Sequence, residues 1–161
     1  MFFWFVGLGF LAVVLVFRSP ALDYRVVILG LLVPLVDVVS PAPPVLHTLL
    51  APVVVMGLVM LTTRRRRLVR RRWLGLPIGM FMHLALDGAW TNTELFWWPA
   101  FGVDVPDVAL PTFGRGPAAI VMEAVGVGVL AWSFQRFGLD DQQRRDDFWR
   151  QGRLDRDLVG G

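Results

Sequence analysis

The chain has 161 residues, of which 55% are hydrophobic, and its mean hydropathy is +0.57. This apolar fraction exceeds the roughly 45–50% of soluble globular domains and indicates a one-domain, polytopic membrane protein. The chain has no cysteine, which excludes disulfides and thiolate metal sites. The net charge is +3, and all sixteen basic residues are arginines, seven of them at 64–72. Beside apolar segments such a run fixes membrane topology, so we expect no nucleic-acid partner.

The first two apolar segments differ in length. Met1–Phe17 predicts a first membrane span, and since it lacks the basic start and cleavage site of a signal peptide, we expect it to be retained. Val26–Val39 would cover only about 21 Å as a helix, against about 30 Å for the hydrocarbon core. Pro34 interrupts this second segment. It therefore either extends back toward Ala21 or is short and re-entrant.

Three further apolar segments follow the turn sequence at 40–44. They predict spans at Val45–Leu61, Trp73–Ala89 and Ala118–Phe134, and a loop rich in Trp, Pro and Gly at Trp90–Pro117. The charged tail is predicted to be solvated, and partly helical or disordered. The expected fold is thus an all-α membrane bundle of about five spans at 1–135, followed by a cytoplasmic tail at 136–161.

The distribution of arginine predicts how these spans are oriented. The run at 64–72, together with Arg18 and Arg25, is expected on the cytoplasmic side of a bacterial inner membrane. Alternating crossings then give an external N-terminus and a cytoplasmic C-terminus. The loop at 90–117 is external, and its charged residues are mainly acidic: Glu94, Asp104, Asp107 and Arg115.

Five ionisable residues within or beside the spans fall on the predicted outer side. They are Asp37, His47, His83, Asp87 and Glu123, and they include both histidines of the chain. The arginine-based topology was inferred without them. Ionisable residues inside spans cost free energy and usually serve a function. Their common depth predicts one shared site.

The residue types in this set are those of a nitrogen and oxygen metal site. His83 and Asp87 are four residues apart, a spacing that brings both to one helical face. With His47 and Asp37 they form a two-histidine, two-carboxylate set suited to Zn²⁺, Mn²⁺ or Fe²⁺. The alternative is a polar cluster that only holds the bundle together by hydrogen bonds. Glu123 is predicted to be a fifth ligand or general base, or else to pair with Arg115.

Two further groups of polar residues each allow two interpretations, and the tryptophans of the loop predict one feature. Thr48 and Thr91 either support the metal ligands by hydrogen bonds or have ordinary helix-start and turn roles. The sequence "GRG" at 114–116 either holds a phosphate through Arg115 or is a flexible turn. Three tryptophans predict an interfacial aromatic belt: Trp90, Trp97 and Trp98.

Three segments of residues 30–100 resemble one known family. They are "GLLVPLVDVVSP", "VLHTLL" and "LPIGMFMHLALDGAWTNTELFWWP". In order and spacing they are similar to the conserved segments of the YdjM-type, LexA-induced inner-membrane proteins, which are described as metal-dependent hydrolases. The last segment, with its G-x-x-x-H-x-x-x-D pattern and W-P ending, is the most specific.

The resemblance implies that Asp37, His47, His83 and Asp87 are metal-site residues. It also implies a hydrolase, for which Glu123 or Asp37 is our candidate catalytic carboxylate and an ester or phosphoester the expected substrate. The predicted depth of the site, near the outer headgroup region, favours a lipid or lipid-linked substrate. The chain departs from the family pattern, because the first span lacks a histidine and Leu35 stands at an acidic position. These departures favour a single metal ion over a cluster, or a non-catalytic scaffold that binds lipid or metal.

Overall fold

A computed structural model describes residues 1–19, 21–106, 108, 110, 114–152 and 154. Regular secondary structure in these residues is entirely helical, which confirms the predicted all-α class. In chain order the α-helices are α1 (Phe2–Phe17), α2 (Tyr24–Leu32), α3 (Leu35–Val39), α4 (Leu50–Thr62), α5 (Arg67–Trp73), α6 (Gly75–Asp87), α7 (Thr93–Phe96), α8 (Ala118–Arg136) and α9 (Gln142–Gln151). Short 3₁₀ turns lie at Val45–His47 and Ala89–Thr91.

The second predicted span is divided into two helices. Helix α2 begins at Tyr24, two residues earlier than predicted, because an Asp23 side-chain oxygen accepts a hydrogen bond from the backbone N–H of Arg25 at 3.2 Å. It ends at Leu32, and α3 begins just beyond Pro34. Proline cannot donate the backbone hydrogen bond that would continue α2. This geometry agrees with a short, interrupted segment.

The predicted start of the third span is wrong. Val45–His47 is a 3₁₀ turn, and the α-helix begins only at Leu50. The turn is preceded by Pro43 and Pro44, which restrict the backbone before it. His47 therefore lies on a turn at the end of the bundle.

Helix directions follow from which residues face one another. Phe10 of α1 contacts Tyr24 at the start of α2, with ring centroids 5.8 Å apart, whereas Phe5 stacks on His83, which is level with the end of α2. Helices α1 and α2 are therefore antiparallel. Gly126, in the first half of α8, lies beside Phe3 near the start of α1, and Phe137, just after α8, lies 5.9 Å from Phe10 between ring centroids. Helices α1 and α8 are thus parallel.

Helices α2 and α6 are also parallel and unusually close. Gly75 lies beside Asp23 and Val27, and Gly79 lies beside Gly30. A Cβ atom placed on Gly79 would meet the Gly30 Cα at 2.8 Å. Small residues four apart in this way let two helices approach closely in membranes. This seam sets the position of His83 relative to the backbone of α2.

Much of the apolar surface is exposed. Among the described residues one helix, α8, is long and apolar enough to cross a membrane, and only 11% of its apolar window is buried inside the protein. Helices α1 and α4 are shorter apolar helices. Exposed side chains on these helices include Ile120 at 75%, Leu61 at 70% and Val16 at 69%. Apolar surface of this extent marks contact with a membrane or a partner.

Part of the predicted tail is docked on the bundle. Helix α9 is capped by Asp141, whose side chain accepts a hydrogen bond from the Arg144 backbone N–H at 3.0 Å. Phe148 of α9 is buried against Phe10. The Tyr24 backbone N–H donates to the Gly152 carbonyl at 2.8 Å. The tail is therefore attached to the start of α2 along this stretch.

Candidate functional site

His47 is fixed from both its backbone and its ring by one carboxylate. Its imidazole Nδ1 lies 3.0 Å from an Asp37 side-chain oxygen, and its backbone N–H donates to the same oxygen at 3.2 Å. The His47 ring is fully buried, and the Asp37 side chain is 8% exposed. Helix α3 is short and ends at Val39, so the chain can turn back and bring the 3₁₀ turn against Asp37. The two residues predicted from the second and third segments thus meet.

His83 is held by α2 and α1. Its Nδ1 lies 2.7 Å from the Leu31 backbone carbonyl, a partner that can only accept a hydrogen bond. One ring face is stacked on Phe5, with centroids 3.9 Å apart and planes inclined by 20°. The ring is fully buried. The glycine seam between α2 and α6 is what brings the Leu31 carbonyl within reach.

The two histidines share one tautomeric arrangement. In both rings Nδ1 faces an acceptor, so in a neutral imidazole the proton lies on Nδ1 and the free lone pair on Nε2. Both Nε2 atoms are buried and have no hydrogen-bond partner within the described residues. The ring centroids of His47 and His83 are 5.5 Å apart. Buried polar atoms normally have partners, so these two nitrogens require an explanation.

Asp87 is the third buried member of the cluster. It is the last residue of α6, which ends there because Gly88 adopts a left-handed conformation with φ of 68°. Its side chain is fully buried, and one oxygen lies 3.9 Å from His47 Nε2. The other oxygen lies 3.4 Å from the Arg115 guanidinium, which also donates to the Asp87 backbone carbonyl at 2.5 Å. Asp87 therefore sits between an imidazole and a guanidinium.

The Glu123 carboxylate caps the start of helix α1. One of its oxygens accepts hydrogen bonds from the backbone N–H groups of Phe3 and Trp4 at 2.7 and 3.1 Å. The other accepts from Phe2 and lies 3.1 Å from the Met1 amino group. A carboxylate in this position neutralises the positive end of the helix dipole. The alternative pairing of Glu123 with Arg115 is not what the structure shows, because Arg115 reaches Asp87.

The remaining predicted residues have local roles. Thr48 donates to the Val45 carbonyl at 2.7 Å and accepts from Ala51 at 3.3 Å, which is a helix-start role. Thr91 donates to the Gly88 carbonyl at 2.8 Å within a turn. Trp90 and Trp97 are about half exposed. Asp107 of the predicted external loop lies outside the described residues.

The cluster is more open than a metal centre. No group of three or more His, Asp or Glu side chains in the described part of the chain is closed tightly enough to hold a metal ion. Within the cluster, His47 Nε2 lies 3.9 Å from an Asp87 side-chain oxygen. Two donors on one tetrahedral zinc ion lie about 3.3 Å apart. The donor types are those that bind zinc, but the distance between His47 Nε2 and Asp87 is about 0.6 Å wider than that between two ligands of one zinc ion.

Sequence reasoning missed two residues that shape the cluster. Phe5 carries no polar group, and nothing in the sequence distinguishes it from neighbouring phenylalanines that face outward. The Leu31 carbonyl is a backbone atom whose role depends on the α2–α6 contact. Only the closely spaced glycines of α6 give a signal for that contact. The sequence predicts Arg115 as a phosphate ligand or a partner of Glu123, whereas its guanidinium lies beside Asp87.

Comparison with known proteins adds no further information on the site. No protein-family model matches the chain, and no match was found to a curated protein or to a solved structure.

Proposed function

We propose that the chain is a multi-pass inner-membrane protein whose His47, His83 and Asp87 bind one divalent metal ion, with zinc or manganese preferred. The observation that carries this proposal is the state of the two imidazoles. Each Nδ1 is fixed by an acceptor, while each buried Nε2 has no hydrogen-bond partner among the described residues. Histidines that bind metals are held in this way, because an acceptor on one nitrogen orients the lone pair of the other.

This proposal gives Asp37 a different role from the other three predicted residues. The Asp37 oxygen nearest the cluster is engaged by the ring and the backbone of His47. A carboxylate in that position raises the basicity of the imidazole and holds its orientation. We therefore assign Asp37 to the support of His47, and the Leu31 carbonyl to the support of His83.

The helix directions support the multi-pass arrangement with an external metal site. The starts of α2 and α6 lie together at the end of the bundle where Arg72 reaches Asp23, with 3.1 Å between Nε and the carboxylate. The His47–Asp87 pair lies at the opposite end of α6. Arginines of membrane proteins concentrate on the cytoplasmic side. The metal site is then near the outer face, with the N-terminus outside and the C-terminus in the cytoplasm.

For the activity, we propose hydrolysis of an ester or phosphoester in a lipid or lipid-linked substrate. The proposal rests on the resemblance over residues 30–100 and on a site close to the outer headgroup region. A divalent cation supplies Lewis acidity and a more acidic water molecule when it is bound. Arg115 is placed to neutralise negative charge on a substrate beside Asp87. The Glu123 carboxylate accepts hydrogen bonds from the start of α1. Its proposed role is therefore to hold α1 in place, which keeps Phe5 stacked on His83.

The test of metal binding compares two aspartates in detergent-purified protein. Competition titration with Zn²⁺ or Mn²⁺ is expected to show that Asp37→Asn weakens binding about 10–100-fold, because the outer carboxylate of a metal-bound histidine is lost. Asp87→Asn removes a ligand and is expected to weaken binding further. Asp104→Asn, an exposed aspartate, is the control and is expected to bind as the wild type does. Equal affinity in all three variants would refute the assignment.

The test of activity is a metal-dependent esterase and phosphatase screen of the same preparations. The expected result is turnover that requires the metal and is lost in His47→Ala. Metal binding without turnover in the wild type would reject the hydrolase and leave a non-catalytic metal-binding protein.

A second candidate function, a non-catalytic membrane scaffold, is favoured by one observation. The Arg115 guanidinium, 3.4 Å from Asp87, already supplies a positive partner for that carboxylate. A polar cluster of this kind can join helices without a metal. In that case α9 and the arginine run would bind cytoplasmic partners or anionic lipid.

The substitution Arg115→Gln distinguishes the two candidates. Removing one partner of a buried ion pair costs about 3–5 kcal/mol of stability in the absence of another cation. If the cluster binds metal, added Zn²⁺ restores the stability of this variant and binds more tightly than in the wild type, because a like charge is gone. If the pair is purely structural, Zn²⁺ restores nothing. Arg136→Gln, at an exposed arginine, is the matched control.

A further inference from the structure

A cavity lined mainly by arginines lies at the other end of the bundle from the histidines. It has a volume of about 290 Å³ and is formed where the start of α2, helix α5 and the end of α9 meet. Its charged lining consists of Asp23, Arg25, Arg71, Arg72 and Arg150. Among the described residues that line the cavity, four arginines and one aspartate give a net charge of +3.

The geometry of the cavity is set by Asp23. This carboxylate is 4% exposed and holds Arg25 Nη2 at 2.9 Å and Arg72 Nε at 3.1 Å. A second hydrogen bond joins an Arg25 amino group to the Trp149 carbonyl, which ties α9 to α2. One anionic residue thus fixes two guanidinium groups. Among the described lining residues, the arginines carry more positive charge than Asp23 neutralises.

Exposed apolar side chains lie beside these arginines. Leu68 lines the cavity and is 76% exposed, and Trp149, which neighbours Arg150, is 65% exposed. Tryptophan and leucine next to arginine are typical of the membrane–water interface, where the apolar part enters the lipid and the charge meets the headgroups. Basic pockets between membrane helices on the cytoplasmic side bind anionic headgroups.

We infer that this cavity binds the phosphate of an anionic phospholipid headgroup, with the acyl chains lying along Leu68 and Trp149. The ligand chemistry is a phosphate held by guanidinium groups, since arginine offers paired donors that match phosphate oxygens. The choice of a lipid over a free phosphate rests on the proposed membrane orientation. It is independent of the metal site, because the two sites lie at opposite ends of the bundle.

The test compares two double variants with the same change in net charge. Arg71→Gln with Arg150→Gln removes two cavity arginines, whereas Arg64→Gln with Arg65→Gln removes two exposed arginines of the same run that do not line the cavity. Native mass spectrometry of the full-length protein in micelles counts bound phosphatidylglycerol, with phosphatidylcholine as the neutral lipid. Competition by inorganic phosphate forms a separate arm.

The expected result is one phosphatidylglycerol per chain in the wild type and in the Arg64/Arg65 variant. The Arg71/Arg150 variant is expected to lose about 25-fold in affinity, because each arginine near an anionic surface contributes about fivefold. Equal losses in both variants would overturn the inference and indicate non-specific charge attraction. Displacement of the lipid by millimolar inorganic phosphate would instead assign the cavity to a free phosphate. The Arg71/Arg150 variant is expected to bind metal as the wild type does. A loss of lipid binding can therefore be distinguished from a failure of the metal site.

Discussion

The substitution Gly79→Ala tests how the α2–α6 seam supports the histidine cluster. A Cβ at Gly79 would meet the Gly30 Cα and the Leu31 nitrogen at 2.8 Å, and would approach the Val27 carbonyl oxygen more closely still. The closest obstacle is the Val27 carbonyl oxygen, so the helices must separate by about 1 Å to reach an ordinary carbon–oxygen distance of about 3.3 Å. Overpacking of this kind costs about 1–3 kcal/mol, and we expect the upper end because the obstacle is backbone.

The matched control is Gly57→Ala in α4, where a Cβ would meet nothing within 4 Å. Both substitutions gain up to about 1 kcal/mol of helix propensity, which cancels in the difference between them. Reversible unfolding in mixed micelles, followed by far-ultraviolet circular dichroism, is expected to place Gly79→Ala about 3 kcal/mol below Gly57→Ala. Zn²⁺ affinity is expected to fall as well, because the Leu31 carbonyl moves away from His83. A difference in stability below about 0.5 kcal/mol would refute the reasoning, since overpacking would then be absent.

Two further predictions concern the ends of the bundle. Glu123→Gln is expected to lower the free energy of unfolding by about 1 kcal/mol, because α1 loses the charge at its positive end. The exposed Asp104→Asn, outside any helix, should change it little, and equal effects of the two in the unfolding titration would count against the capping role. Reporter fusions at positions 68 and 105 are expected to be active on the cytoplasmic and external sides respectively. Activity of the reporter at 68 on the external side would reverse the proposed orientation.

The sequence predicted the helical class and the positions of α1, α2, α6 and α8, because apolar runs depend on local composition. It predicted the break at Pro34, where the missing backbone N–H is a local property. It failed at Val45–His47, because a 3₁₀ turn and a helix share the same apolar residues. It also left α9 as a tail, since the burial of Phe148 depends on a partner, Phe10, that lies 138 residues earlier in the chain.

Part of the candidate site could be predicted from the sequence for similar reasons. The i, i+4 spacing and the predicted depth brought His83, Asp87, His47 and Asp37 into one hypothesis, and the structure brings His47 into contact with both aspartates. The spacing could not show that Asp37 lies behind His47, because that depends on the turn between α3 and the 3₁₀ segment. The stacking of Phe5 on His83 also could not be predicted from the sequence, because it depends on how α1 packs against α6.

The metal content of the purified protein tests the central claim most directly. Full-length wild type, His83→Ala, Asp87→Ala and the control Asp104→Asn would be purified in detergent after growth with zinc and manganese, then dialysed and analysed by elemental mass spectrometry. The account predicts about one divalent ion per chain in the wild type and in Asp104→Asn, and a large loss in His83→Ala and Asp87→Ala. Negligible metal in all four proteins, with the wild type folded, would contradict it.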